Sequence, residues 1–426
     1  MTSSPPKDAY VWVWLPKTVE PVVAGRLTAA GHTLTFNYGR SYLRHPDAIP
    51  LYLPELPLRQ GAIPLPPGLS MPGCIRDAAP DAWGRRVILN RLLGRHGTRA
   101  DTMDLDELTY LLESGSDRIG ALDFQASPTR YVPRRAGATS LDTLLAAAEH
   151  VEHGVPLPSD LAQALQHGTS LGGARPKAQV ETDDRKFVAK FSSSRDFYNV
   201  VKAEYVAMRL ASAVGIQAAP VRLASALGRD VLLVERFDRE KSPSGWTRRA
   251  MVSALTILGL DEMMARYASY EHLAEIVRHR FTRPADTLRE LFRRLVFNIL
   301  CGNTDDHARN HAAFWDGHHL TLTPAYDVCP QSRTGNEASQ AMAITDGDHL
   351  SRLTTCIAAA ADFQLAPDQA TALIADQIRT IRQHWDTVCD EAALPETDRR
   401  LLWGRQFLNP FAFQDAPPEL TAEAEA

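Results

Sequence analysis

A chain of 426 residues, 44% hydrophobic and 23% charged, has the make-up of a globular protein large enough for two or three structural units. Its net charge of −5 comes without a long basic block, so composition gives no argument for direct nucleic-acid contact, although a DNA-binding partner stays open. Five scattered cysteines (Cys74, Cys301, Cys329, Cys356, Cys389) form no C-x-x-C pair, no apolar run reaches the roughly 18 residues of a membrane helix, and MTSSPPKDAY lacks the halves of a signal peptide, which together predict a cytoplasmic protein with no membrane association.

Residues 1–9 are expected to be disordered. From residue 10 the chain reads as β-rich: YVWVWL (10–15), PVVAGRLT (21–28) and HTLTFNYG (32–39) alternate apolar and polar side chains. A Pro-rich stretch (50–73) precedes a predicted helix in DAAPDAWGRRVILNRLL, with Pro80 near its first turn. Another helix is predicted across 104–113 and a strand at IGALDF (119–124). The Pro-, Arg-, Ser- and Gly-rich run 125–139 is the best boundary in the first half.

The pattern changes from residue 140. The helix SLDTLLAAAEHV leads to a Gly-rich turn (167–180), the short strand KFVAKF (186–191) and a helix (197–213) with Val201, Tyr205 and Met208 on one face. APVRLASAL (219–227) and DVLLVERF (230–237) read as a hairpin. Beyond 248 the chain is mostly helical, and 286–300 places Leu288, Leu291, Phe292, Leu295 and Ile299 on one stripe with Asp286 as N-cap. Residues 412–426 are acidic and core-poor, and are expected to be disordered.

Three constellations could carry chemistry. In Ser170-Leu171-Gly172-Gly173-Ala174-Arg175-Pro176-Lys177, paired glycines would let backbone N–H groups approach a phosphate that a basic side chain neutralises; a plain surface turn is the alternative. Lys190 stands on a short apolar strand just after that turn, as a kinase's phosphate-holding lysine does, and Glu204 on the next helix is a possible ion-pair partner. A solvated edge-strand lysine and an exposed glutamate would look the same.

The third is NTDDHARNH (303–311). Asp305 and Asn310 have the kinase D-x-x-x-x-N spacing, and Asp327 closes the later run TLTPAYDV. One carboxylate would face the attacking hydroxyl, while an amide oxygen and a second carboxylate are hard ligands suited to Mg²⁺. A transition-metal site on Asp305, Asp306, His307 and His311, or a polar capping turn with a buried His307, competes for the same residues. The order of Gly-rich turn, strand lysine, helix glutamate, VERF, D-x-x-x-x-N loop and late aspartate favours the kinase reading.

In that order TSLGGARPKA (169–178), FVAKFS (187–192), LLVERFDR (232–239), NTDDHARNH (303–311) and LTPAYDV (322–328) resemble the HipA-like serine/threonine kinases, toxins of bacterial toxin–antitoxin modules. VAGRL and DAAPDAWGRR also resemble the family's N-terminal domain. The resemblance implies an α+β, two-lobed protein-kinase-like fold. Its parts would be a small β-rich N-terminal subdomain (10–128), a kinase-like N-lobe with the Gly-rich loop (140–240) and a mostly helical C-terminal lobe (241–411).

It also implies roles. Asp305 would be the catalytic base, and Asn310 and Asp327 the Mg²⁺ ligands. Gly172, Gly173, Ala174, Arg175, Pro176, Lys177 and Lys190 would hold the ATP phosphates. Glu235, Arg236 and Phe237 would lie at the adenine, and His307, Ala308, Arg309 and Asn310 near the nucleotide. Ser170 matches a serine that some members autophosphorylate to shut off ATP binding. Two positions depart from the prototype: G-G-A-R-P-K replaces a loop with Gln-Glu before the lysine, and Asp306 replaces a small residue.

The function implied is an ATP- and Mg²⁺-dependent serine/threonine protein kinase, acting on a cellular protein of the aminoacyl-tRNA synthetase class and restrained by a HipB-like helix-turn-helix antitoxin. A kinase-fold small-molecule phosphotransferase and a catalytically quiet co-repressor are the alternatives.

Overall fold

Period-two alternation builds the first sheet. Strands β1 (Asp8–Val13), β2 (Val22–Ala30) and β3 (Thr33–Tyr38) form an antiparallel meander, and β4 (Leu122–Gln125) pairs with the other edge of β1, giving the order β3-β2-β1-β4. The structure, a computed structural model, describes residues 6–94, 105–134, 139–166, 168–193, 196–333 and 335–425. Disorder expected over 1–9 does not extend to Asp8 and Ala9, which are in β1; residues 1–5 lie outside the described residues.

The chain divides into two compact units: Met1–Ser194, Ala224–Val252 and Phe314–His318 in the first, and Arg195–Leu223, Ser253–Ala313 and His319–Ala426 in the second. The stretch 125–139, expected as a boundary, lies within the first of these units. Its described part folds back on the first sheet: the Tyr131 ring packs 5.4 Å from that of Trp12, its hydroxyl donates to Asp123 at 3.0 Å, and Arg134 pairs with Asp123 at 2.9 Å.

A second sheet is formed by β5 (Lys177–Glu181), β6 (Lys186–Phe191), β7 (Val221–Ala226) and β8 (Arg229–Glu235), in the order β5-β6-β8-β7, and all of it but the start of β7 lies in the first unit. The expected hairpin joins β7 to β8 through Leu227 and Gly228, both at positive φ (48° and 74°), as a type I′ turn requires. Helices Ala82–Leu93 and Leu141–His153, N-capped by Asp81 and Ser140, pack Trp83, Val87, Leu144 and Leu145 against Ala178, Ala189, Phe191 and Val231 of the sheet.

Gly84 lets the first of these helices approach the Gly-rich turn, because a Cβ there would stand 1.9 Å from the Thr169 carbonyl oxygen. Gly84→Ala should therefore destabilise the protein by about 2 kcal/mol or more, read as a lower urea midpoint.

A buried charge cluster that the sequence did not announce also lies in this unit. Asp117 accepts from Arg239 at 2.7 and 2.9 Å, from Arg236 at 3.2 Å and from Lys186. Asp238 accepts from Arg236 and Arg239 at 2.8 and 2.9 Å and from the Gly120 N–H at 2.8 Å. Burial would raise the Asp117 carboxyl, but Arg239, Arg236, Arg248 and Lys186 hold it well below its ordinary range.

For Asp238 burial is likewise outweighed by Arg236 and Arg239, and its pKa falls from 3.8 to about 2. A depressed carboxylate contributes stability above its unfolded pKa and loses it as pH falls through the folded one. Wild type should thus exceed Asp238→Asn by roughly 2 kcal/mol near neutrality, and the gap should close between about pH 4 and 2 in unfolding titrations.

The second unit is mostly helical: Val200–Ala213, Tyr270–Arg280, Pro284–Leu300 and Pro367–Glu391 are its main helices. The predicted stripe Leu288, Leu291, Phe292, Leu295, Ile299 is buried. Asp286 is not its N-cap: the helix starts two residues earlier, with Pro284 in the first turn and Arg283 at the cap, because proline's fixed φ suits that position. The acidic tail is corrected as well. Pro418–Glu425 forms a helix with Leu420 buried, Glu423 paired with Arg379 at 3.0 Å and the Ala424 carbonyl accepting from Arg382, which hold it to the Pro367–Glu391 helix. Among the described residues no helix is long and apolar enough to cross a membrane.

Candidate active site

The crowded loop begins where the Pro284–Leu300 helix stops. Gly302 sits at φ 71°, and a Cβ there would meet the Gln406 carbonyl oxygen at 2.7 Å. Asn303 then fixes the exit path. Its N–H and Nδ2 donate to the Asn298 carbonyl and Oδ1 at 2.8 and 3.0 Å, and its carbonyl accepts from Gln340 Nε2 at 3.0 Å.

The two aspartates that follow part company. Asp305 reaches the surface with its carboxyl partly shielded from water by its neighbours, whereas Asp306 is 1% exposed and accepts from the Tyr270 hydroxyl on one oxygen and from His311 Nε2, at 2.8 Å, on the other. Those hydrogen bonds occupy both oxygens of Asp306, so the transition-metal alternative loses one of its ligands. Among the described residues no group of three or more His, Cys, Asp or Glu could hold a metal ion.

A tight turn orders the rest of the motif. The His307 N–H donates to the Asp305 carbonyl at 2.9 Å, and the Asn310 N–H to that of His307 at 2.8 Å. Asn310 Nδ2 also donates to the Asp305 carbonyl at 3.0 Å, an amide orientation that leaves Oδ1 as the acceptor end of the side chain. Ala308 is buried, and its carbonyl accepts from the Leu255 N–H at 3.2 Å. The Arg309 guanidinium pairs with Glu262.

The Tyr326 hydroxyl donates to the Arg309 carbonyl at 2.7 Å, which brings the segment before Asp327 to this loop. Asp327 itself takes a left-handed φ of 60°, a conformation that costs a non-glycine residue of order 1 kcal/mol and is found at functional sites. A cavity of about 10 Å³, room for a single water, is lined by Asn303, Asp306, Asn310, His311, Tyr326 and Val328.

Burial first, then the charges of Asp327 and Asp306, raise the Asp305 pKa above the ordinary range, with His307 opposing. Like charge gathered beside an amide oxygen is what a bound cation would relieve. Asn310 and Asp327 offer hard oxygen donors to Mg²⁺, an ion that keeps water or phosphate oxygens for its remaining positions. The residues fit the ion.

The other predicted residues belong to the first unit, except Glu204, which is buried in Val200–Ala213 of the second. Gly172 and Gly173 take φ of 85° and 92°, and residues 172–175 are exposed, a loop open to a ligand. Pro176 and Lys177 are not part of that open surface. Lys177 is 2% exposed, its Nζ bonded to the Gly172 carbonyl and 3.6 Å from Asp81, so here it holds the loop rather than presenting a charge. Ser170 is buried too, its Oγ 3.4 Å from Arg118 Nη1.

Lys190 pairs with Lys177 across β5 and β6 and is half-buried, on the face opposite Phe187, Ala189 and Phe191 as alternation predicts. Glu235 binds Arg185 at 2.7 Å, and the Phe237 ring meets Phe314 edge-on at 5.9 Å. Arg236 is a correction: its guanidinium is spent on Asp117 and Asp238, and its N–H donates to the Lys186 carbonyl, so its side chain is structural. Sequence reading missed Tyr270, the donor to Asp306, since a tyrosine opening a helix gives no signal of such a partner.

Residues 13–125 match the HipA N-terminal domain and residues 169–385 the HipA-like C-terminal domain. Among curated proteins, the chain is 27% identical over 333 residues to the candidate kinase Y4mE of Sinorhizobium fredii, covering 72% of this chain and 74% of that one. It is 24% identical over 265 residues to the serine/threonine-protein kinase toxin HipA of Shewanella oneidensis, covering 54% and 58%. Among solved structures, a chain of the Shewanella oneidensis complex of HipA, HipB and operator DNA superposes with TM-score 0.66 at 19% identity, covering 95% of each chain, a likeness of fold. The expected two-lobed, kinase-like α+β fold class holds. With the C-terminal match spanning half of its length and the N-terminal one preceding it in order, the chain belongs to the HipA-like family.

Proposed function

We propose that the chain is an ATP- and Mg²⁺-dependent serine/threonine protein kinase in which Asp305 is the general base. The observation that carries this reading is the division of labour in one loop: Asp305 stays exposed with a raised pKa, while the residues around it are fixed by hydrogen bonds. A base is most useful when its pKa is moved toward the working pH. Asn310 and Asp327 would hold Mg²⁺, which when bound supplies positive charge against the phosphates. The exposed backbone of 172–175 would meet those phosphates, with Lys190 beside them. Glu235 and Phe237 would face the adenine, and His307 to Asn310 the nucleotide.

The family supports a protein acceptor, with an aminoacyl-tRNA synthetase as the class to test first, and a HipB-like antitoxin as the restraining, DNA-contacting partner. Autophosphorylation at Ser170 would require that side chain to leave its buried place near Arg118. It would then place roughly −1.5 to −2 charge next to a phosphate site.

The test is incubation of the full chain with radiolabelled ATP, Mg²⁺ and cell lysate, followed by phosphosite mapping. Label should enter protein, depend on Mg²⁺ and vanish in Asp327→Ala. Label on metabolites alone, or equal labelling by Asp327→Ala, would overturn the reading.

A further inference from the structure

Asp306, which has no part in the roles proposed above, is the most tightly enclosed carboxylate of the second unit's loop. It is 1% exposed, one residue beyond the exposed Asp305, and its two oxygens take separate donors. The Tyr270 hydroxyl bonds to Oδ2, His311 Nε2 lies 2.8 Å from Oδ1, and the tyrosine oxygen is 3.1 Å from the same imidazole nitrogen. The Tyr270 and His311 rings meet edge-on, 5.3 Å apart. All three side chains are buried, and only the one-water cavity described above reaches Asp306 and His311.

Each corner is tied to a different piece of backbone. The Tyr270 N–H, at the start of its helix, donates to the Ala343 carbonyl at 2.8 Å. The His311 carbonyl accepts from the Ala254 N–H at 2.7 Å. Asp306 itself lies inside the tight turn closed by the His307 N–H on the Asp305 carbonyl. The 306 carboxylate turns inward while the adjoining 305 side chain is at the surface. It also fixes the carbonyl of Asp305 that receives Asn310 Nδ2.

We propose that Asp306, clamped by Tyr270 and His311, is a positioning residue that sets the direction of the Asp305 carboxylate and the pose of the Asn310 amide. The inference rests on the kinase reading for its kinetic consequence and on geometry alone for its structural one. A pivot released in this way misplaces the base without removing it, and a displacement near 1 Å can cost about 100-fold in rate.

The experiment compares wild type with Asp306→Asn and Tyr270→Phe, both close in shape to the native side chains. The first readout separates kcat from the KM for ATP. The second is hydrogen–deuterium exchange over residues 303–311, together with the global melting temperature.

Clamping predicts that kcat falls by about tenfold or more in each variant while KM stays within about twofold. Exchange at the His307 and Asn310 amides should quicken while distant amides keep their protection. Unchanged kcat, or a rise in KM at constant kcat, would overturn the proposal. If Asp306→Asn unfolds, Tyr270→Phe, which leaves the carboxylate and its imidazole bond in place, decides by the same criteria. If the wild type transfers no phosphoryl group, the kinase reading fails by itself. Exchange then decides the clamp: faster local exchange in the variants supports it, and unaltered exchange overturns it.

Discussion

Asp305→Ala is expected to lower phosphoryl transfer by about 10²- to 10⁴-fold, the usual contribution of a positioned general base, while ATP binding measured by calorimetry stays close to wild type. Nucleotide contacts are assigned to other residues, so affinity and rate should separate. The pH profile gives a second reading of the same group. Burial, reinforced by Asp327 and Asp306, holds the carboxyl above the ordinary aspartate range. A base works only when deprotonated. Its activity should therefore fade, as pH drops, at a value above the roughly 3.9 of a free aspartate. Initial rates against pH will show that limb; a profile flat down to an ordinary aspartate pKa would remove Asp305 from the role.

The largest stability effect should come from Asp117→Ala. That substitution leaves Arg236 and Arg239, each with a guanidinium 1% exposed, short of one of their two carboxylate partners. Removing one member of a buried ion pair costs about 3–5 kcal/mol, chiefly because the remaining charge has lost its compensation. Arg248, whose pKa burial pushes down to about 9 and Asp117 helps to hold up, would lose part of that support. Denaturant unfolding should show a loss of this size. A loss under about 1 kcal/mol would mean that Asp238 alone satisfies both arginines.

Much of this could be read in advance because short-range pattern carried it. Alternation placed β1 to β3 and the two faces of β6, and the D-x-x-x-x-N spacing marked the loop in which Asp305 and Asn310 share a turn. What escaped depends on partners far apart in the chain. Nothing near Asp117 points to arginines about 120 residues later, and Arg236, expected at the adenine, is in fact spoken for by Asp117 and Asp238. Neither Asp305 nor Asp306 reveals which of them turns inward, since that is decided by Tyr270 and His311. The C-terminal helix was missed for a related reason: Leu420 alone, among acidic neighbours, suffices as an anchor once Arg379 meets Glu423.

The Asp117 cluster has a consequence for how the two family domains can be inherited or handled. Asp117 falls within the N-terminal match and Arg236, Asp238 and Arg239 within the C-terminal one, so the cations of one segment are balanced in part by a carboxylate from the other. Cutting the chain between the matches would leave the larger piece with a surplus of interior cations and the smaller with a stranded carboxylate. The amino-terminal segment is thus a chemical counterpart of the segment that carries the loop, and exchange of either between relatives should succeed only where acid and base are exchanged together.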